Sequence, residues 1–425
     1  SLRVCSWNMG EYPPPADLSA WLPPGLKDDL VAVGVQECAY EEGKKAGGCE
    51  QDFASILHSH LGEAYAQLSA VRNSAQFLRN SAQFGAMLRM FSPLPRTPQV
   101  SLVSIRLFVF VRREALPAVS HLQTGTRGTG LGNVYGNKGG AAVAFHFYDT
   151  SICLINTHLA ARPERINERN MDFADIVSDL AVGRKGLEVS DQFDHVFFFG
   201  DLNYRVELPF DEAAEGVEAF AVAGVDSAAR AAAIAPLLAK DQLRAEQAAG
   251  RTLDGFEEGP IHFCPTYRWE CGTTRSGRAA LSNKKGQAPS WCDRILRRSL
   301  PACAVRQLTY EAASEITDSD HTPVSATYEI HTRLPAVHVG GAALTLRLTQ
   351  LRLEVSPAGL QYALAGQQGR RNRGSMCAVA PAYTVSGAAN REINGRYDWL
   401  EGALCNERPV FAQGDERVLY RPESR

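Results

Sequence analysis

Five short polar motifs follow directly on apolar runs in this chain: Trp7-Asn8, Gln36-Glu37, Asn156-Thr157-His158, Gly200-Asp201-Leu202-Asn203 and Ser319-Asp320-His321. Any one of them reads equally as a capped turn or a satisfied buried polar group. Five together point elsewhere, because titratable groups gathered beside apolar strands are costly unless they meet a metal and a charged substrate. Their types narrow the metal. Carboxylates and amides are hard oxygen donors suited to Mg²⁺, which keeps several waters and takes one or two protein carboxylates beside substrate phosphate. There is no HExxH, and the histidines lack the spacing of a zinc site.

Hydrolysis of a phosphate ester asks three things of such a set: charge to offset the transferring phosphoryl group, a carboxylate to position or deprotonate water, and hydrogen bonds to the non-bridging oxygens. Glu37 and Asn8 suit the first, at the metal, Asp201 the second, and His158 and Asn203 the third. Asp320 beside His321 is expected to orient the imidazole and raise its basicity. No GxSxG elbow is present, so direct attack by an activated water is expected rather than a covalent serine intermediate.

The elements that must carry these groups are mostly strands. Leu2 to Asn8 and Leu30 to Val35 read as buried strands, with others at 102–111, 140–147, 151–156, 194–199, 292–298, 304–310 and 322–330. Residues 51–61 read as an amphipathic helix, and the alanine-rich stretch 211–249 as mostly helical. Many strands and few helices fit two packed sheets flanked by helices better than a doubly wound parallel sheet. Dinucleotide and P-loop glycine signatures are absent.

The 425 residues are too many for one core and suit a large domain of residues 1–332 followed by a smaller all-β domain at 337–425. A net charge of -3 argues against a globally basic nucleic-acid binder. Ten scattered cysteines without a CxxC pair predict free thiols in a reducing compartment. No apolar run approaches the length of a membrane span, and Ser1 in place of methionine is expected of an expressed or processed fragment. RNSAQF occurs twice within 72–84, a local duplication read as a surface excursion, and the basic tract Arg370-Arg371-Asn372-Arg373 as a solvated loop.

WNMG at 7–10, QE at 36–37, GNKGG at 136–140, NTHLAA at 156–161, RN at 169–170, FFGDLNYR at 198–205, PTYRW at 265–269, PSWCDRIL at 289–296 and SDHTPV at 319–324 occur in that order. Over residues 1–330 this series resembles the inositol polyphosphate 5-phosphatases of the endonuclease/exonuclease/phosphatase superfamily. The resemblance implies a four-layer, DNase I-like α/β sandwich, with a C2-like, immunoglobulin-like or small β-repeat domain after it. It implies Mg²⁺-dependent removal of the 5-phosphate from the 4,5-bisphosphate and 3,4,5-trisphosphate phosphoinositides, and from soluble inositol phosphates.

By the same resemblance Asn8 and Glu37 lie at the magnesium, Asp201 activates water, and Asn203, His158 and His321 hold the scissile phosphate with Asp320 behind His321. Tyr267, Arg268 and Lys285 match positions that grip the 4-phosphate, Asn137 and Lys138 face the reacting phosphate or the diester side of the headgroup, and Arg205 of the GDLNYR motif is a further substrate contact. Arg268 stands where the family usually has lysine, and Gln287 where it usually has arginine. The loss of that charge predicts weaker affinity for 4-phosphorylated substrates unless Lys284 compensates. A lipid substrate implies a cytoplasmic protein in peripheral contact with anionic membrane, through loops near 72–84 and 125–138. The rival readings are a nuclease of the same superfamily, which needs a long basic groove, and a non-catalytic phosphoinositide-binding module, which has no use for a water-activating carboxylate.

Overall fold

Leu30–Gln36 is buried at every position, and so is His195–Asp201; strands of that kind must be covered on both faces. The computed structural model describes residues 1–45, 48–68, 100–102, 104–129, 138–284, 286–301, 303–332 and the strands 383–385, 395–405, 408–413 and 417–420. It divides into two units, Ser1–Pro335 and Ala336–Arg425.

In the first unit β1 (Leu2–Asn8) and β2 (Leu30–Gln36) precede α1 (Glu41–Lys45) and α2 (Cys49–Leu61), followed by β3 (Tyr65–Gln67), β4 (Val100–Leu102), β5 (Ile105–Arg112) and β6 (Val119–Gly128). The hairpin β7 (Gly139–Phe147) and β8 (Thr150–His158) leads into α3 (Ile166–Asp179) and β9 (His195–Asp201). Then come α4 (Phe210–Val222), α5 (Ser227–Leu238), α6 (Gln242–Ala248), β10 (Glu257–Glu258), β11 (Asp293–Ser299), β12 (Val305–Ala312) and β13 (Val324–Ile330). One sheet runs β12-β13-β1-β2-β5-β3 with β4 also on β5, and the other runs β10-β11-β9-β8-β7-β6. Both are mixed: β1 pairs parallel with β2, and β8 parallel with β9.

Side-chain alternation sorts the core into layers. Leu2, Val4, Ala32, Leu107 and Val109 of the first sheet meet Val143, Phe145, Leu154, Phe197 and Phe199 of the second. The outer face of the first sheet, with Val31, Val33, Phe108 and Phe110, is covered by Phe53 and Leu57 of α2. Phe198 turns the other way from its two neighbours, to Phe173, Ile176 and Val177 of α3. Helix, sheet, sheet and helix make the expected four-layer α/β sandwich. Among the described residues no helix is long and apolar enough to cross a membrane, and Cys5, Cys38, Cys49, Cys153, Cys264, Cys271 and Cys292 are free thiols.

Besides the short α1, β3 and β10, two longer elements were not anticipated. In α3 the apolar stripe is interrupted by Arg169 and Asp172, both buried, so the helical period is masked. In β6 no position is fully buried, because it lies at the edge of its sheet. In the second unit β14 (Tyr383–Val385), β15 (Gly395–Cys405), β16 (Arg408–Gln413) and β17 (Arg417–Tyr420) form a four-stranded antiparallel sheet. The RNSAQF duplication, the 370–373 basic tract and most of the 125–138 loop lie outside the described residues.

Candidate active site

Parallel pairing puts the C-terminal ends of β1 and β2 at one edge of their sheet, and those of β8 and β9 at one edge of theirs. Asn8, Gln36-Glu37, His158 and Asp201 are the residues on which those strands end. Two antiparallel strands complete the edge. Asp293, the first residue of β11, is in register with Asp201. The loop carrying Ser319, Asp320 and His321 enters β13 beside Ser6 of β1.

The sheets are tied together just below this edge. Gln36 Nε2 donates to Asn156 Oδ1 at 2.6 Å, and Asn156 Nδ2 donates to the carbonyls of Val35 at 3.1 Å and Arg106 at 2.8 Å. Gly34 makes room, since a Cβ there would sit 2.5 Å from the Asn156 side chain. Gln36 and Asn156 are therefore the structural members of the polar motifs, joining β2 and β5 to β8. The strand ends also depart from ordinary backbone: Glu37 and Asn203 adopt φ of 50° and 59°, the left-handed region that most side chains avoid.

Asp201 is the centre of the cluster. Its Oδ2 accepts from Asn8 Nδ2 at 2.9 Å and lies 3.2 Å from His158 Nε2, while its Oδ1 accepts from the Asn203 backbone N–H at 3.0 Å. Burial acts to raise this carboxyl, but the charge and hydrogen bond of His158, with His321 and Lys138, outweigh it and hold Asp201 well below the usual carboxylate range. Lys138 touches His158 Nε2. Burial pushes Lys138 down against the pull of Asp201 and Glu37, and burial together with Lys138 pushes His158 down.

His321 departs from its expected partner. Its Nδ1 lies 2.9 Å from Asp293 Oδ2, which also accepts from Thr266 Oγ1 at 2.7 Å. Asp320 instead pairs with Arg268, Oδ2 to Nε at 3.1 Å. The acid that orients the imidazole is thus Asp293 of the PSWCDRIL motif, not Asp320. Adjacent residues in extended chain send their side chains to opposite sides, so the sequence neighbour was the wrong candidate. Burial opposes a charge on His321, yet Asp293 and its hydrogen bond, with Asp201 and Asp320 beyond, push the imidazole up to about 9. Burial also raises Asp293, against the pull of His321. Ser319 fixes the loop by donating to the Asn8 carbonyl at 2.8 Å and accepting from the His321 N–H at 3.1 Å.

These groups open on a cavity of about 500 Å³ lined by Asn8, Glu37, His158, Asp201, Asn203, Arg205, Tyr267, Gln287, Asp320 and His321, with Arg162 and Glu164 on its rim. Arg205 donates to Asn203 Oδ1 at 2.6 Å and Gln287 Oε1 at 3.0 Å, and its guanidinium lies over the Tyr267 ring at 4.6 Å. Gln287 is thereby engaged with Arg205. Lys284 is largely exposed and pairs with Glu270 at 3.0 Å, which leaves it away from the lining. Asn137 and Lys285 lie outside the described residues.

Ligand atoms of Asp201, Asp293 and His321 lie within 4.8 Å of one another, and Glu37 Oε1 is 3.9 Å from His158 Nε2. Carboxylate and amide oxygens predominate around the cavity, and Asp293 Oδ1 is buried with no hydrogen-bond partner. The carboxylate and amide oxygens of this set fit a divalent cation. Sequence reasoning missed Asp293, Thr266 and Arg162. PSWCDRIL marked the first as notable, but only the register of β11 on β9 shows where it lands.

Comparison with known proteins agrees with this geometry. Residues 5–327 match the Endonuclease/Exonuclease/phosphatase family 2 model. The chain is 32% identical over 348 residues to the Homo sapiens phosphatidylinositol 3,4,5-trisphosphate 5-phosphatase 1, covering 77% of this chain and 26% of that protein. It is 30% identical over 340 residues to the Danio rerio phosphatidylinositol 3,4,5-trisphosphate 5-phosphatase 2A, covering 78% and 24%. It thus spans about a quarter of the length of these curated relatives.

Among solved structures, the inositol polyphosphate 5-phosphatase domain of SPsynaptojanin, in complex with inositol (1,4)-bisphosphate and calcium ion, superposes with a TM-score of 0.56 at 26% identity, covering 77% of this chain and 83% of that one. A Cimex nitrophorin ferrous NO complex, with a TM-score of 0.52 at 21% identity over 77% of this chain and 97% of that one, shares the fold. The chain belongs to endonuclease/exonuclease/phosphatase family 2 and, within that superfamily, to the inositol polyphosphate 5-phosphatases.

Proposed function

We propose that this chain hydrolyses the 5-phosphate of phosphoinositides, the 4,5-bisphosphate and 3,4,5-trisphosphate lipids, and of soluble inositol polyphosphates, with Mg²⁺ as cofactor. The observation that carries the reading is the convergence on Asp201, a buried carboxylate kept ionised by the hydrogen bond of His158 and the charge of His321 and gripped by Asn8 and Asn203. A module that only binds headgroups has no need of it.

Glu37 and Asn8 would hold the cation, because His321 is committed to Asp293 and, as an imidazolium, offers no lone pair. When bound, Mg²⁺ offsets charge on the transferring phosphoryl group. Asp201 orients the attacking water and takes its proton as the new bond to phosphorus forms; the bond from phosphorus to the ring oxygen breaks, and that oxygen takes up a proton from solvent in the open cavity and leaves as the free hydroxyl. The His321 imidazolium and the amide of Asn203 donate to the non-bridging oxygens, where charge accumulates. Tyr267, Arg268, Lys285 and Arg205 serve the rest of the headgroup, with Asn137 and Lys138 on the side of the reacting phosphate. A lipid substrate brings the protein into peripheral contact with the cytosolic face of an anionic membrane, and the second unit serves as an accessory domain there.

A phosphate-release panel over the phosphoinositides, with and without Mg²⁺ and beside Asp201→Asn, tests this. The expected result is Mg²⁺-dependent release from 5-phosphorylated members and a loss of about 100-fold or more in the variant. Plasmid nicking without phosphate release would favour a nuclease and overturn the proposal.

A further inference from the structure

We infer that Arg162 grips a second phosphate of the substrate, one that is not being hydrolysed. The inference rests on the phosphomonoesterase reading above. It starts from the backbone: Arg162 adopts φ of 83°, a conformation that glycine takes freely and that costs any residue with a β-carbon. A large cationic side chain held in such a conformation at the rim of an active cavity has a use to look for.

The segment beneath it is built to keep it there. Arg169, fully buried on α3, donates to the carbonyls of Ala160 at 3.2 Å, Arg162 at 2.6 Å and Pro163 at 3.1 Å. Asp172, one turn on, accepts from the Ala160 N–H at 2.8 Å. These two polar groups, the same ones that interrupt the apolar stripe of the helix, fix the backbone of the 160–163 segment while Arg162 itself is exposed and lines the cavity.

Each of the other described cations near the site already has a protein partner. Lys138 lies on His158, Arg205 on Asn203 and Gln287, Arg268 on Asp320, and Lys284 on Glu270. Gln287 brings no charge. Among the described residues Arg162 makes no ion pair with an acid, and its forked guanidinium suits a phosphate dianion. That second anion is either another ring phosphomonoester or the diester that joins the ring to a lipid. Glu164 lines the same rim, so its charge opposes such an anion.

Phosphate release is measured from inositol 1,4,5-trisphosphate, 4,5-bisphosphate and 1,5-bisphosphate with the unaltered chain, Arg162→Gly, Arg162→Lys and Glu164→Gln. Glycine suits the backbone at 162, so that variant removes the side chain without straining the loop. The expected result is a KM about 10-fold higher in Arg162→Gly for every substrate carrying the gripped phosphate, with kcat unchanged. The substrate lacking that phosphate is unaffected, and the comparison identifies it as the 1- or the 4-phosphate. Arg162→Lys recovers part of the loss, and Glu164→Gln lowers KM for the same substrates. A KM indifferent to Arg162, or shifted equally on all three substrates, would overturn this inference alone. No release by the unaltered chain from any of them would overturn the phosphomonoesterase reading itself.

Discussion

At His321 the imidazole stands between the Asp293 carboxylate and the cavity, and its charge follows from both sides. Held at about 9, it is an imidazolium throughout the neutral range. Its proton is lost only as pH rises through that value, so kcat/KM should fall on the alkaline side of about 9. Asp293→Asn removes the charge that sustains the proton. The expected outcome is an alkaline limb moved to lower pH and kcat/KM reduced about 100-fold at neutral pH, read from pH–rate profiles of both forms. An unchanged limb would show that another group sets it. His321, Asp201, His158 and Asn203 could be singled out by their types and their places after apolar runs, and the structure brings all four to one cavity. Their pairing could not be read, because pairing is a property of register between strands distant in sequence: Asp293 reaches His321 across 28 positions.

The strand ends depend on what the strands can tolerate. At Gly200, φ is 135° and a β-carbon would fall 2.0 Å from the Thr157 carbonyl oxygen of the parallel neighbour. No side-chain rotation relieves a clash with backbone, so Gly200→Ala must part β8 from β9 directly beneath His158 and Asp201. Thermal or denaturant unfolding should show a loss of about 2–4 kcal/mol, with activity falling alongside. Stability equal to the unaltered chain would mean that the two strands part without cost. Buried strands such as β2 and β9 were readable from unbroken apolar runs, and α2 from its period. α3 and β6 were not, the one because buried Arg169 and Asp172 serve the 160–163 segment instead of the core, the other because an edge strand has one neighbour and little to bury.

Seen as a whole, the first unit has the architecture that composition and element pattern implied, two mixed sheets between helices, and its chemistry lies along one edge. The chain reverses through α3 after His158, so the residues between Leu180 and Asp194, which lead into the N-terminal end of β9, lie at the far edge. Lys185 and Gly186 are exposed there. This polarity gives the first unit a front and a back. A short affinity tag inserted between Lys185 and Gly186 should leave KM and kcat for soluble substrate as they were, as phosphate release by the tagged chain would verify; a rise in KM would show that the two edges communicate. A first unit held on a bead through that tag would turn its cavity away from the bead, ready to meet a dissolved headgroup in one orientation.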